Sequence, residues 1–422
     1  KNLIHVFYLD EHYKKKQWTD VKLAASQIKK VGVVGAGVMG GGIAQLLAKN
    51  NVICRIKDLN NKALALALKT ARNVYNYLLK TGRLKKGQVE AQMSLISPTT
   101  TYQGFKNTDV VIEAVVERLD IKKQVFKELD EIVQPDACLF TNTSSLSVTE
   151  MSKSTNRPDK VCGFHFFNPV HRMPLLEIIT TEKTSQETLA TAVTFARQLG
   201  KMVIVVKDKE GFVVNRILLP YMNEAAYLFQ EGIDTRRLDQ IVKKFGIPMG
   251  PLELADEVGI DVGYHVAQIL EATYGKRMCV ADILKKTYAA GTLGKKSGEG
   301  FYAYRGKQKK VSSKPRSMCG PATFTIDDST TIKRLIYVMI NEASRCLEEG
   351  VVESASTIDV GMIYGTGFPP FRGGLLRYAD SVGVKRIVAD LQKFQTRFDQ
   401  YRFEPSGLLR SMAETGDSFY PP

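Results

Sequence analysis

No uninterrupted run of 18 apolar residues occurs in this chain of 422, so a membrane-spanning helix is not expected. Tryptophan occurs once and histidine five times. The six cysteines (Cys54, Cys138, Cys162, Cys279, Cys319, Cys346) form no C-x-x-C pair, which excludes a zinc ribbon and a thioredoxin-like motif. No metal site is expected. Scattered thiols of this kind point to a reducing compartment, cytoplasmic in a bacterium or the mitochondrial matrix in a eukaryote. No signal peptide is recognisable, and the end Ser418-Phe419-Tyr420-Pro421-Pro422 is not a peroxisomal address. Residue 1 is Lys rather than Met, so a fragment or processed chain is expected.

What the chain does have is length and positive charge. At ~150 residues per domain it has room for two or three domains. It carries 59 basic against 44 acidic residues, a net charge of +15. Such a balance attracts polyanions, whether nucleic acid, an acidic membrane surface or a multiply phosphorylated small molecule. Residues 1–17 read as a helix with Leu3, Ile4, Phe7 and Tyr8 on one face, in need of a cover. From residue 30 strand and helix patterns alternate up to Lys207, which predicts a doubly wound parallel sheet. After about residue 210 helical patterns alone are expected. Asn223-Glu224-Ala225 and Glu231-Gly232 recur 118 residues later as Asn341-Glu342-Ala343 and Glu349-Gly350. Ala255-Asp256-Glu257-Val258-Gly259 recurs 124 residues later as Ala379-Asp380-Ser381-Val382-Gly383. Two copies of one helical module are the natural reading. The stretch Arg305–Arg316 between them, Lys-, Ser- and Gly-rich, reads as a solvated linker. It has no interleaved aromatics to stack on bases, which argues against nucleic acid.

Gly35-Ala36-Gly37-Val38-Met39-Gly40 follows a strand and opens a helix. In that context G-x-G-x-x-G has a mechanism. Gly35 permits the turn, Gly37 lets the backbone approach a pyrophosphate, Gly40 lets helix and strand pack, and the helix N-terminus offers its N–H groups. Asp58 ends the next strand, where a carboxylate accepts ribose hydroxyls and repels a 2′-phosphate. NAD is therefore expected over NADP, although Arg55 and Lys57 stand close by in sequence.

His165 ends an apolar strand within Phe164-His165-Phe166-Phe167-Asn168-Pro169. A histidine in an apolar run is more commonly a satisfied core residue. Two features favour chemistry: Glu177, twelve residues on, and the polar run Thr141-Asn142-Thr143-Ser144-Ser145 at the end of the preceding strand. An enzyme moving a hydride from an alcohol needs a base for the hydroxyl proton, and imidazole suits neutral pH. A carboxylate on its other nitrogen fixes the tautomer and stabilises the imidazolium.

Taken together, these motifs resemble the L-3-hydroxyacyl-CoA dehydrogenases. The residues that carry the likeness are Gly35–Gly40, Glu113-Ala114-Val115-Val116-Glu117, Asn142–Ser145, His165–Pro169, Gly211-Phe212-Val213-Val214-Asn215-Arg216 and Gly294–Tyr302. The duplicated helical module resembles the dehydrogenase half of the multifunctional fatty-acid β-oxidation enzymes, α-subunit type. The resemblance implies a Rossmann-type α/β doubly wound domain followed by an all-α region of two repeated modules. The expected divisions are a linker helix region 1–29, an NAD-binding domain 30–208, module one 209–304, a basic linker 305–329, and module two 330–422.

It also implies roles for particular residues. His165 would be the general base and Glu177 its partner. Ser144 and Asn215 would hydrogen-bond the substrate's 3-oxygen and thioester region. Gly35, Gly37, Val38, Met39, Gly40, Asp58, Val116, Glu117, Lys122, Ser144, Asn168 and Lys296 would contact NAD, and Tyr364 the substrate. The expected activity is oxidation of an L-3-hydroxyacyl-CoA to the 3-ketoacyl-CoA. An acyl-CoA substrate and a thiolase subunit are the implied partners, with no nucleic acid and no evident membrane association. Two departures from the family pattern stand out. Val74 occupies a position where single-domain relatives hold CoA with a Ser, so no CoA-phosphate ligand is assigned. The enoyl-CoA hydratase half that precedes the dehydrogenase half in multifunctional enzymes has no counterpart in these 422 residues, and no hydratase activity is expected. Other β-hydroxyacid dehydrogenases and a catalytically silent NAD-binding protein are the alternatives. The 6-phosphogluconate type centres on a lysine rather than a His–Glu pair.

Overall fold

A computed structural model describes residues 1–21, 27–306 and 308–421. Residues 22–26 of the expected linker, with Lys307 and Pro422, lie outside the described residues. The chain forms two compact units, Asp10–Lys209, and Glu210–Pro422 with Lys1–Leu9. The N-terminal helix α1 (Asn2–Lys15) leaves Leu3, Ile4, Phe7 and Tyr8 exposed.

The first unit is an eight-stranded sheet. Its strands are β1 (Lys30–Val34), β2 (Ile53–Lys57), β3 (Ile96–Thr99), β4 (Val110–Glu113), β5 (Cys138–Thr141), β6 (Val161–Phe166), β7 (Leu175–Thr180) and β8 (Met202–Lys207), in the order β3-β2-β1-β4-β5-β6-β7-β8. Helices α2 (Val38–Lys49), α3 (Asn61–Lys80), α4 (Lys86–Met93), α5 (Leu119–Ile132), α6 (Val148–Ser152) and α7 (Gln186–Gln198) lie between them in sequence. The central strands are apolar on both faces because both faces are covered. Val31, Val33, Val110, Ile112, Phe140 and Phe164 are all fully buried. Caps define the helix starts: Asn60 accepts from Ala63 N at α3, and Ser185 from Thr188 N at α7.

Three expectations need correction. The sheet is not wholly parallel, because β6 and β7 pair antiparallel. The segment joining them, Phe167–Pro174, is too short for the crossover of a dozen or more residues that parallel neighbours require. The strand β3 and helix α4 escape the sequence pattern. Pro98 counts against a strand, yet β3 pairs only with β2 at the sheet edge, where proline is tolerated. The third correction concerns strands beyond residue 210, which are resumed in a hairpin, β9 (Tyr302–Arg305) and β10 (Gln308–Val311). Its second strand is exposed and lysine-bearing, so composition makes it look like linker. The linker expected over 305–329 therefore begins inside a hairpin. It continues as a packed strap, with Arg316 donating to Phe229 O and Ile233 O, both at 2.7 Å.

The second unit holds α8 (Val214–Gln230), α9 (Thr235–Phe245), α10 (Pro251–Val258), α11 (Ile260–Tyr274), α12 (Asp282–Ala289), α13 (Lys314–Ser317), α14 (Asp328–Glu348), α15 (Ala355–Thr366), α16 (Leu375–Val382), α17 (Val384–Arg397) and α18 (Gly407–Thr415). The repeat is physical. Helices α8 to α11 of the first copy correspond to α14 to α17 of the second, and the copies exchange equivalent ion pairs. Arg216 donates to Glu342 at 2.8 Å and to Glu349 at 2.7 and 2.8 Å. Arg334 donates to Glu224 at 2.7 Å and to Glu231 at 2.5 and 2.9 Å. Both arginines are completely buried. The correspondence extends further. Asp239 caps α10 and accepts Tyr302 Oη, as Asp359 caps α16 and accepts Tyr420 Oη.

A buried ion pair stripped of one partner leaves a charge with nothing to solvate it, at a cost of about 3–5 kcal/mol. Arg334→Met is expected to destabilise the second unit by about that amount in urea unfolding. Lys286→Met, which breaks an exposed pair with Asp282, should leave the urea midpoint essentially unchanged.

Candidate functional site

The loops that follow β1, β2, β4, β5 and β6 leave the same edge of the sheet, because those strands run parallel. Strand order reverses direction between β1 and β4, and open α/β sheets bind ligands at such a switch point. Five sequence segments singled out above converge there.

Gly35, at φ +104°, makes the turn after β1, and a Cβ on it would strike Ala114 O at 2.4 Å. A Cβ on Gly40 would lie 1.8 Å from Gly35 O. Gly37 differs: a Cβ there would meet nothing within 4 Å. It therefore borders open space at the start of α2, a helix whose first turn has no side-chain cap. Those amides are available to an anion. Val38 and Val116 are exposed, and Met39 is half-buried. Asp58 accepts from Ala36 N and Leu59 N, both at 2.7 Å, so its carboxylate is fixed beside the glycine turn. Arg55 and Lys57 are engaged elsewhere. Arg55 donates to Gln103 O at 3.0 Å, and Lys57 lies 4.2 Å over the Tyr102 ring. The residues present fit a dinucleotide without a 2′-phosphate.

The antiparallel register sets His165 opposite Glu177. His165 Nδ1 lies 2.8 Å from Glu177 Oε2, with the two side chains 6% and 0% exposed. Phe167 packs on the imidazole at a centroid distance of 4.5 Å. An imidazole so held can take a proton at its other nitrogen while the carboxylate stabilises the cation.

Glu117 gathers the polar loop after β5. It accepts from Thr143 Oγ1 at 2.6 Å, Ser144 N at 2.8 Å, Ser144 Oγ at 3.1 Å and Ser145 N at 3.2 Å. Its burial works against the charge. Lys122, Thr143 and the Ser144 amide outweigh that and hold its carboxyl below the usual range. Lys122 is 1% exposed, with Nζ 2.8 Å from Glu113 and 3.3 Å from Glu117. Glu113, fully buried, also accepts from Thr141 Oγ1 and Val115 N, each at 2.7 Å. Asn142 Oδ1 accepts from Phe166 N at 2.9 Å, joining this loop to β6.

Glu113, Asn142 and Thr143 are functional-site residues that carry no expected role from sequence alone. Glu113 carried a usable signal, since a carboxylate closing a wholly apolar parallel strand must be paired. Asn168 is exposed after β6. The other three expected residues belong to the second unit. Asn215 is in the first turn of α8, Tyr364 is in α15, and Lys296 contacts Asp261 on a short turn at Lys295–Ser297.

Comparison with known proteins gives concordant matches. The family description "3-hydroxyacyl-CoA dehydrogenase, NAD binding domain" matches residues 30–209. The corresponding C-terminal domain matches twice, at 211–304 and 331–418. The fatty acid oxidation complex subunit alpha of Pseudomonas aeruginosa is 40% identical over the whole chain. That of Shewanella amazonensis is 43% identical over 93% of it. The chain spans 60% and 56% of the length of these relatives. Among solved structures, 3-hydroxybutyryl-CoA dehydrogenase from Escherichia coli superposes with a TM-score of 0.81 at 27% identity, covering 92% of this chain and 99% of that one. The dehydrogenase part of multifunctional enzyme 1 from C. elegans gives 0.69 at 26% identity, covering 97% and 98%.

Glu117→Gln removes the charge on which the Ser144 and Ser145 amides converge. Charge-assisted bonds are each worth about 1.5–3 kcal/mol, so exchange of those two amides should quicken by about tenfold or more. Hydrogen-exchange mass spectrometry over residues 142–146 reads this directly.

Proposed function

The chain belongs to the 3-hydroxyacyl-CoA dehydrogenase family, and on that premise we propose that it oxidises L-3-hydroxyacyl-CoA to 3-ketoacyl-CoA with NAD. The observation that carries the reading is the buried 2.8 Å bond between His165 and Glu177, at the sheet edge that holds the dinucleotide turn. NAD, when bound, supplies the hydride acceptor. The residues for it are Gly35, Gly37, Val38, Met39 and Gly40 around the pyrophosphate, and Asp58 on the ribose.

His165 takes the proton of the substrate 3-hydroxyl at Nε2, because Nδ1 is committed to Glu177. Glu177 keeps the imidazole in that tautomer and stabilises the imidazolium, which returns the proton in the reverse direction. Ser144 and Asn215 hydrogen-bond the 3-oxygen and thioester region as charge develops. Asn168, Val116 and Lys296 act on the cofactor, and Tyr364 on the substrate. Glu117 and Lys122 serve the cofactor side through the loop they hold, since the Lys122 ammonium is buried between two carboxylates. The regions proposed are 1–29, 30–208, 209–304, 305–329 and 330–422, the fourth beginning in the β9–β10 hairpin and continuing as the strap.

The curated relatives are named as alpha subunits of a complex. A thiolase is the partner the resemblance suggests, and the compartment proposed is a reducing one, cytoplasmic in a bacterium or the mitochondrial matrix in a eukaryote. Among the described residues no helix is long and apolar enough to cross a membrane.

Loss of absorbance at 340 nm tests the reading. NADH with acetoacetyl-CoA should be consumed rapidly and NADPH slowly; no consumption of NADH overturns it. His165→Gln should lower kcat by about 10²–10⁴-fold, the span of a positioned acid–base group. Activity within about threefold of the unaltered chain would remove His165 from the mechanism.

A further inference from the structure

The connection from β6 to β7 carries Asn168 and sets the register in which His165 meets Glu177. Whatever holds that connection acts on all three residues. Its own backbone contributes little: Arg172 N and Met173 N share one acceptor, Pro169 O, at 2.9 and 3.1 Å. The carbonyls of Val170 and Met173 need partners inside the protein, and one side chain takes both. Lys201 Nζ donates to Val170 O at 2.6 Å and to Met173 O at 2.7 Å.

Lys201 is only 8% exposed and rigidly based. It stands between Gly200, whose φ of +71° ends α7, and the first residue of β8. Its own amide donates to Ala196 O at 3.0 Å, and Met202 N donates to Pro174 O at 2.8 Å. The ammonium also lies 5.8 Å from the Phe166 ring centroid. On the other side of the connection, a Cβ on Gly42 of α2 would come within 3.0 Å of Val170. The connection is thus packed from α2 and tied from β8.

We propose that Lys201 is a positioning residue for the dehydrogenase reaction: its ammonium ties the Val170 and Met173 carbonyls and so holds the β6–β7 connection in the form that presents Asn168 and keeps His165 against Glu177. The inference rests on the dehydrogenase reading. A residue needed only to fill space here would be apolar, because an ammonium in this place is costly. Burial pushes Lys201 down to about 8, and Lys49 at the end of α2 acts in the same direction. On the connection itself, burial and the charges of Arg172, Lys201 and Lys49 hold the His171 imidazole below its ordinary value. Among the described residues no carboxylate pairs with Lys201, so the two carbonyls are what offset the cost.

Lys201→Met keeps the apolar stem and removes the donors, whereas Lys201→Arg keeps a cation. Both are made in the full chain. Four quantities are measured: kcat and KM for acetoacetyl-CoA reduction, NADH affinity by fluorescence, the melting temperature, and hydrogen exchange over Phe166–Glu177. Lys201→Met should lower kcat by about 10²-fold, the loss that a misplacement near one ångström can cause. KM should stay within about threefold, as expected when transition-state alignment rather than binding is lost. Exchange over Phe167–Pro174 should quicken well below the melting temperature, and Lys201→Arg should recover most of kcat. Unchanged exchange over that segment in the Met variant, or a lowered melting temperature with kcat intact, overturns the proposal. If the unaltered chain does not turn over, the dehydrogenase reading fails, and the exchange comparison still decides whether Lys201 holds the segment. Should Lys201→Met not fold, Lys201→Gln, which keeps a neutral donor, serves the same comparison.

Discussion

A carboxylate cannot be buried alone. In an apolar interior the charged form loses its hydration and must be repaid by a partner of matching geometry. Glu177 is fully buried in the middle of a strand, and its partner is His165 on the neighbouring strand. The pairing works only because β6 and β7 run antiparallel in one register. A slip of one residue would turn one of the two side chains to the opposite face of the sheet. The short connection between the strands forces the antiparallel turn. The His165–Glu177 pair is therefore a product of the place where the parallel sheet breaks its own rule.

The same requirement organises the rest of the edge. Glu113, also fully buried, is answered by Lys122, and Lys122 in turn reaches Glu117. Glu117 then draws in the amides and hydroxyls of Thr143, Ser144 and Ser145. One buried charge at the end of β4 is thus transmitted through two side chains to the loop that carries Ser144. Asn142 closes the arrangement by accepting from Phe166 N, next to His165. Dinucleotide turn, polar loop and the His165–Glu177 pair share one rigid support, which is what alignment within a fraction of an ångström requires.

The helical unit applies the principle twice over. Arg216 and Arg334 are equivalent residues of two copies, and each is buried against two glutamates of the other copy. Such pairs give modest net stability but a strong preference for one arrangement, since any other leaves buried charges unmatched. Two modules of common sequence are thereby held in one reciprocal arrangement.

Much of this was legible in the chain alone, for identifiable reasons. Parallel strands buried on both faces show as apolar runs, and the turn chemistry of Gly35–Gly40 is local. The internal repeat shows because the polar residues it repeats are engaged in the fold: Asn223 and Glu224 with their copies Asn341 and Glu342 are buried, and Glu231 and Glu349 pair with the buried arginines. His165, Glu177 and the Ser144 loop were recognisable as residue types that hydride chemistry needs. Tertiary structure decided what local pattern cannot carry. Pro98 could be an edge strand only because β3 has a single neighbour. The lysine-rich segment near residue 310 became a hairpin because Asp256 accepts from the backbone of Phe301 and Tyr302. The side-chain partners of Glu113 and the carbonyls that Lys201 ties lie 9 to 31 residues away in sequence, and no propensity or periodicity connects them. Burial forces such charges to be paired, but only the folded chain determines with whom.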